Sequence, residues 1–319
     1  IPAAKWRRYA DVRNFTGLLT NFVGFFSALI TLFRLYPDVV ISKGGYGSVP
    51  TVLAAALLRI PIIIHESDAK PGRANLLASH FATRIGIAFP EAAKYFSKRA
   101  QKRIARTGIP ARKELLRVET EGARQELNLE ANIPTLLILG GSLGAKRIND
   151  TVIGALPELL SFANVIHQTG TGLYTETAGT AKVAIEKSEH KDRYHPFPYL
   201  SALSLRRAAG VTDLVISRAG SGSITEISLW KKPAVLIPIP EAISHDQRTN
   251  AYAFARTGAA VVLEEANLTP HLLVSEAKRI TQNAELAKAM GEKGASFADP
   301  DAAKVIAEEV LGIALAHEV

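Results

Sequence analysis

The chain of 319 residues is 47% hydrophobic and 21% charged, which supplies apolar material for two buried cores and lies far from the composition of a disordered chain. With no cysteine, a disulfide framework and a thiolate metal site are both excluded. The excess of 38 basic over 30 acidic residues, formally +8, favours anionic partners such as phosphates or an acidic membrane surface, and no zinc-finger spacing, RNA-binding aromatic signature or Lys/Arg block points to nucleic acid.

The chain begins Ile1-Pro2-Ala3, and no signal peptide is visible. Its first apolar run, residues 15–35, is interrupted by Thr16, Asn21 and Arg34 and lacks the clean apolar length of a spanning helix. Leu18, Phe22, Phe25, Phe26, Leu29 and Phe33 share one face at helical spacing, and Trp6, Arg7, Arg8 and Arg13 stand before them. Basic residues beside a Trp/Phe/Leu face mark an interfacial helix attracted to anionic lipid. The same face equally suits the core side of a Rossmann helix, and a divided arrangement would pack Phe25 onward inward while Trp6 to Leu19 meets lipid.

Strand and helix then alternate. Short apolar, β-branched runs at 39–41, 61–64 and 84–88 read as strands, with helices at 54–58 and 75–81 between them. The pattern breaks in the charged stretch 113–132. It restarts with strands at 135–139, 165–167, 213–217, 234–237 and 259–263, each followed by a helical stretch, the first of them at 146–160. Continuous apolar strands separated by helices predict parallel sheets covered on both faces. The expected domains are 1–112 and 113–300. The apolar spacing of Val305, Ile306, Val310, Leu311 and Leu315 after Pro300 predicts a helix over 301–316, placed either in the second domain or back on the first.

Five segments carry candidate chemistry. Gly44-Gly45-Tyr46-Gly47 and Gly140-Gly141-Ser142-Leu143-Gly144 each follow a predicted strand, where open α/β sheets bind ligands and a helix N-terminus attracts phosphate. Either turn alone could carry glycine for geometry only. In Ser217-Arg218-Ala219-Gly220-Ser221-Gly222-Ser223-Ile224-Thr225-Glu226 a strand runs through small residues into a helix. Glu226 could accept from the vicinal hydroxyls of a ribose, or Ser223 and Glu226 could form a capping box. Near the next helix Gln247 and Asn250 could meet sugar hydroxyls, with an ordinary cap by Ser244 or Asp246 as the plainer reading. His65-Glu66-Ser67-Asp68 suits sugar binding at a strand end. No His-Glu-x-x-His or Asp-x-Asp pair supports a metal, and His167, at the end of an apolar strand, reads as a core histidine.

Taken together, Pro37-Asp38-Val39-Val40 into Gly44-Gly45-Tyr46, Ile64-His65-Glu66, Thr107-Gly108-Ile109-Pro110-Ala111-Arg112, the 140–145 turn, His167-Gln168-Thr169-Gly170, Ser217-Arg218-Ala219-Gly220 with Thr225-Glu226, and Gln247 with Asn250-Ala251 resemble the MurG-type transferases that convert lipid I to lipid II. The resemblance implies a GT-B fold, α/β, with two Rossmann-like doubly wound domains facing a cleft and the donor UDP-GlcNAc held mainly by the second. It also implies that Glu226 binds the uridine ribose, that Ser221, Gly222, Ser223, Ile224 and Thr225 line the diphosphate, that Ser142 and Arg112 contact the nucleotide, and that Gln247 meets the GlcNAc hydroxyls. The uracil contact would fall within 197–200. Gly44, Gly45 and Tyr46 would be an acceptor-side loop, and Asp68 would replace the family's usual Asn near substrate, losing an amide donor. The family opens with a Gly-Gly-Thr-Gly-Gly-His loop carrying a proposed catalytic His; this loop is absent from the sequence, so the first domain is expected to be incomplete and the base is unassigned. The implied chemistry is inverting displacement without cofactor or metal, acting on undecaprenyl-linked lipid I from the cytoplasmic face of the membrane. A donor-binding but inactive fragment, or another GT-B enzyme such as a diacylglycerol glycosyltransferase or a UDP-GlcNAc 2-epimerase, are the alternatives.

Overall fold

The computed structural model describes residues 1–4, 12–141, 143–243 and 246–317, without the side chains of 12–16 and 317. The chain divides into two compact units, residues 1–110 with 301–319, and residues 111–300.

The first unit opens with a long helix, α1 (Val12–Leu35), followed by β1 (Val40–Ser42), α2 (Val49–Leu57), β2 (Ile62–Glu66), α3 (Arg73–Ala78), β3 (Arg84–Ile87), a short α4 (Lys98–Gln101) and β4 (Ile104–Arg106). The four strands are parallel in the order β1-β2-β3-β4. β2 is buried at every position, which is why 62–64 read as continuously apolar; the strand extends past the expected 61–64 to take in the buried His65 and Glu66. β4 has no apolar signature, because all but its first residue is exposed at the edge of the sheet.

Helix α1 is divided around its axis rather than along its length. Ala28 and Leu32 are buried, and Phe25 and Leu29 pack against the same core with α2. Leu18, Phe22, Phe26 and Phe33 are exposed, together with Leu19, Val23 and Ile30. Phe25 and Leu29 therefore do not belong to the outward face that their spacing suggested, and each turn from Phe22 to Phe33 carries both inward and outward residues. By length and composition Gly17–Leu35 does qualify as a span, with mean hydropathy 1.7, contrary to the expectation from its interruptions. Its packing against the first unit's core makes it a surface helix there. Trp6, Arg7 and Arg8, and the side chain of Arg13, lie outside the described residues.

The terminal helix, α13 in chain order (Ala302–His317), belongs to this unit. Ala302 is buried, and Glu309 pairs with Arg84 at 2.8 Å. Leu311 and Leu315 face solvent, so only part of the apolar spacing is core.

The second unit runs α5 (Ala123–Glu126), β5 (Thr135–Leu139), α6 (Lys146–Leu159), β6 (Asn164–Gln168), α7 (Tyr174–Ala184), β7 (Tyr194–Phe197), α8 (Ala202–Val211), β8 (Leu214–Ser217), α9 (Ser221–Trp230), β9 (Ala234–Leu236), α10 (Gln247–Ala255), β10 (Ala260–Val262), α11 (Pro270–Thr281) and α12 (Ala284–Ala295). Its six parallel strands lie in the order β10-β9-β8-β5-β6-β7. The order reverses between β5 and β8, and such a switch point opens a crevice at the strands' carboxyl ends. β7 carries the polar sequence Tyr-His-Pro-Phe at the sheet edge and gives no apolar signal. The core is built on β5, β6, β8 and β9 against α6 and α11.

Candidate functional site

Two loops flank the switch point of the second unit. The first follows β5, where Gly141 and Gly144 have φ +86° and +80°. A Cβ on Gly144 would overlap the Thr169 carbonyl oxygen, and one on Gly170 would overlap Gly144 itself. The turns after β5 and β6 thus touch backbone to backbone, a contact that only glycine permits. Gln168, the last residue of β6, ties three strand ends together: its amide nitrogen donates to Gly141 O at 3.2 Å and its oxygen accepts from Leu200 N at 2.9 Å. Thr169 N donates to Phe197 O at 2.9 Å. The 197–200 segment is thereby anchored beside the glycine turn. Leu143 is almost wholly exposed at the turn's tip; Ser142 lies outside the described residues.

The second loop leads from β8 into α9, whose N-cap is Gly220 with no side-chain cap bond. The helix begins at Ser221, so Ser223 lies inside its first turn and does not cap with Glu226. The capping box does not form, and the Glu226 carboxylate is left for other work. It lies one turn into the helix, where Oε1 accepts from Arg112 at 3.0 Å. Burial raises the Glu226 pKa and the Arg112 pair offsets only part of that. Tyr199 also interacts with the Arg112 guanidinium. Ile224 and Thr225 are buried, and the Thr225 hydroxyl donates back to Ser221 O at 2.9 Å. Of the five residues expected along a diphosphate, Ser221, Gly222 and Ser223 keep accessible surface, beside the free N–H groups of the first turn.

Gln247 opens α10, and its side-chain oxygen accepts from Ile239 N at 3.2 Å. Asp246 is the N-cap residue of α10 but makes no side-chain cap bond, while Ser244 lies outside the described residues. Asn250 is fully buried and reaches Ala219 O at 3.4 Å; it steadies the turn before α9 and is not placed to meet a sugar. Arg218, one residue after β8, is also committed internally, to the Ile237 and Pro238 carbonyls and to Glu265. His167 has no exposed surface and lies between Tyr194 Oη at 3.0 Å and Asn149 Oδ1 at 3.1 Å. Burial pushes its pKa down to about 3, so it is a neutral core residue, in keeping with its apolar strand.

In the first unit, β1 and β2 end side by side, with Ser42 opposite Ile64. Gly44 and Gly45 have φ +85° and +82°, and Tyr46, next in the turn, is half exposed. β2 ends in His65 and Glu66, and Ser67 and Asp68 follow it. His65 is buried, and its Nε2 donates to Gly108 O at 2.7 Å, since a carbonyl can only accept. Burial lowers its pKa. The Asp68 backbone N–H donates to Glu66 at 2.9 Å. Among the described residues no cluster of three or more His, Asp or Glu side chains has the arrangement of a metal site.

Residues 135–306 match the glycosyltransferase family 28 C-terminal domain, and residues 1–87 match the family's N-terminal domain. The chain belongs to glycosyltransferase family 28. It is 39% identical over 289 residues to a Bacillus cereus protein named UDP-N-acetylglucosamine–N-acetylmuramyl-(pentapeptide) pyrophosphoryl-undecaprenol N-acetylglucosamine transferase 2, an alignment that spans 90% of this chain and 78% of the relative. A Clostridium kluyveri transferase of the same type is 40% identical over 88% of this chain and 76% of its own length. Among solved structures, MurG of Acinetobacter baumannii superposes with a TM-score of 0.75 at 27% identity, covering 93% of this chain and 79% of that one. A UDP-GlcNAc 2-epimerase from Neisseria meningitidis, covering 96% of this chain and 83% of its own, has a TM-score of 0.66 at 13% identity, a likeness of fold alone.

Within this family 28 chain, sequence reasoning passed over three residues that organise the sites. Gln168 appeared only as part of a motif, Glu66 only within the 65–68 cluster suited to sugar binding, and Asn75 only inside a predicted helix. For Gln168 and Glu66 the signal is a polar side chain closing a buried strand, since such a group must find partners in the adjoining loops; Asn75, in the first turn of α3, gives no such signal.

Proposed function

We infer that the chain is an inverting glycosyltransferase that moves GlcNAc from UDP-GlcNAc to the C4 hydroxyl of lipid I, giving lipid II for peptidoglycan synthesis. The observation that carries this reading is the near-full-length likeness to transferases of that name at about two-fifths identity, in a chain whose second unit sets a carboxylate and an open helix N-terminus at its switch point. Glu226 receives the ribose hydroxyls: Oε1 is engaged by Arg112, and a carboxylate has further acceptor sites. The first turn of α9, with Ser221, Gly222 and Ser223, receives the diphosphate through its N–H groups, and Ile224 and Thr225 contribute backbone only. Arg112 neutralises charge on the departing UDP, and Ser142 joins it at the nucleotide. Gln247 offers its amide to the GlcNAc hydroxyls. Asp68 and the turn at Gly44, Gly45 and Tyr46 serve the acceptor. Donor binding needs no divalent metal, which UDP titration in excess chelator tests.

The chain works peripherally at the cytoplasmic face of the membrane. The exposed Leu18, Phe22, Phe26 and Phe33 of α1 support this, since an apolar helix face of this kind suits the boundary of an anionic bilayer.

Incubation with UDP-GlcNAc and a lipid I analogue tests the activity. Formation of the disaccharide lipid with stoichiometric UDP is expected. Release of an epimerised sugar, or transfer to diacylglycerol, would replace the assignment.

A further inference from the structure

Glu66 closes β2 with 4% of its surface exposed, and its carboxylate is encircled by donors. Oε1 accepts from Asp68 N at 2.9 Å, while Oε2 accepts from Gly72 N at 3.1 Å and from Asn75 Nδ2 at 2.8 Å. Two of these donors span the 67–72 loop. The third belongs to a helix residue that is itself 3% exposed. Because each of these groups donates to the carboxylate, the cage matches the ionised form, in opposition to the burial that raises the pKa of this carboxyl.

The bond to Asn75 also decides how that amide is turned. With Nδ2 committed to Glu66, and 3.5 Å from His65 O, Oδ1 is left at the other end, buried and without a partner among the described residues. The amide lies flat against Gly44. A Cβ there would stand 2.8 Å from Nδ2 and 2.9 Å from Cγ and Oδ1, and Gly44 has φ +85° besides. Both the contact and the backbone conformation require glycine. A single side chain thus seats the turn after β1 while being held by the residue that holds the loop after β2.

We propose that Glu66 and Asn75 are positioning residues for the acceptor side: Glu66 anchors the 67–72 loop through two backbone N–H groups and fixes the Asn75 amide as the seat of the Gly44 turn, so that the two loops keep one arrangement. The proposal rests on the reading that these loops serve the acceptor. Neither residue touches the reacting atoms; both act by placing Asp68, Gly45 and Tyr46.

Glu66→Gln tests it. The new amide can accept from Asp68 N with its oxygen, but its NH2 group faces Gly72 N–H and Asn75 Nδ2, donor against donor. Backbone hydrogen exchange on the full chain should speed up by tenfold or more at Asp68, at Gly72 and in the 44–46 turn, while residues 140–144 and 217–226 keep their rates. Asn75→Ala should loosen the 44–46 turn alone, because both backbone bonds to Glu66 survive. Glu66→Gln combined with Asn75→Asp gives the new amide an acceptor and should restore protection at 44–46 but not at Gly72. In steady-state transfer, Glu66→Gln should raise the acceptor KM at least tenfold with the donor KM and UDP affinity unchanged within twofold, and the double variant should recover most of the acceptor KM.

The proposal is overturned if the 44–46 turn exchanges at the parent rate in both single variants, or if donor and acceptor KM rise together. Should Glu66→Gln fail to fold, the Asn75→Ala exchange pattern decides. A parent chain that transfers no GlcNAc would count against the transferase reading, and the exchange measurements would still judge the pair.

Discussion

Replacing Glu226 with alanine should separate the stability of the second unit from its affinity for nucleotide. The carboxylate is paired with Arg112 at 3.0 Å, with 44% of the Arg112 side chain and 19% of the Glu226 side chain exposed. A pair so open to water contributes at most ~1 kcal/mol, and burial, which raises the Glu226 pKa, sets a cost against it. The variant should therefore melt within about 4 °C of the parent. UDP binding loses the ribose hydrogen bonds to a charged acceptor, about 1.5–3 kcal/mol, or roughly 10- to 150-fold in Kd. Calorimetric titration with UDP and with 2′-deoxy-UDP forms a cycle. The deoxy nucleotide should bind the parent more weakly, and Glu226→Ala should lose that discrimination. Because the pKa is raised, UDP affinity of the parent should begin to fall at a higher pH than for an ordinary carboxylate as acid is added, and Glu226→Gln should abolish that dependence. Unchanged UDP affinity in Glu226→Ala, with the preference for the 2′-hydroxyl intact, would refute the ribose assignment.

Three further outcomes are expected. His167 has a folded pKa of about 3, below its unfolded value near 6.5, so the stability due to its neutral ring is present above that value and is lost as pH falls through the window between the two. The slope is up to ~1.4 kcal/mol per pH unit; denaturant titrations across pH should show it flattened in His167→Gln, and an identical slope in both proteins would refute the reasoning. Gly144→Ala forces a side chain into φ +80° and onto the Thr169 carbonyl, so denaturation should reveal a loss of about 2 kcal/mol or more, whereas a loss below a few tenths would mean that the two turns do not hold each other. Phe22→Glu with Phe33→Glu alters side chains that are 61% and 69% exposed, so folding should survive while co-sedimentation with anionic vesicles disappears; binding equal to the parent's would remove this face as the membrane contact.

The succession of buried strands and the place of the glycine turns after them were legible in the sequence, because a strand covered on both faces must be largely apolar and a turn after it must be small. Thr135–Leu139 is the plainest case, matched residue for residue. The edge strands β4 and β7 were not legible, since half-exposed positions release the pattern from that constraint. The direction of each face of α1 was likewise hidden, because helical spacing shows which residues cluster but not which cluster the core takes. Phe25 packs inward while its neighbour Phe26 faces out. Site residues divided in the same way. Glu226 was legible as a carboxylate in the first turns of a helix after a small-residue loop, whereas its freedom from capping, its pairing with Arg112 across 114 positions of chain and the burial of Ile224, Thr225 and Asn250 were tertiary facts. Partners so far apart in sequence leave no periodicity, and only the parallel sheet, by bringing every carboxyl end to one edge, made neighbours of Gly44, Glu66 and Asn75.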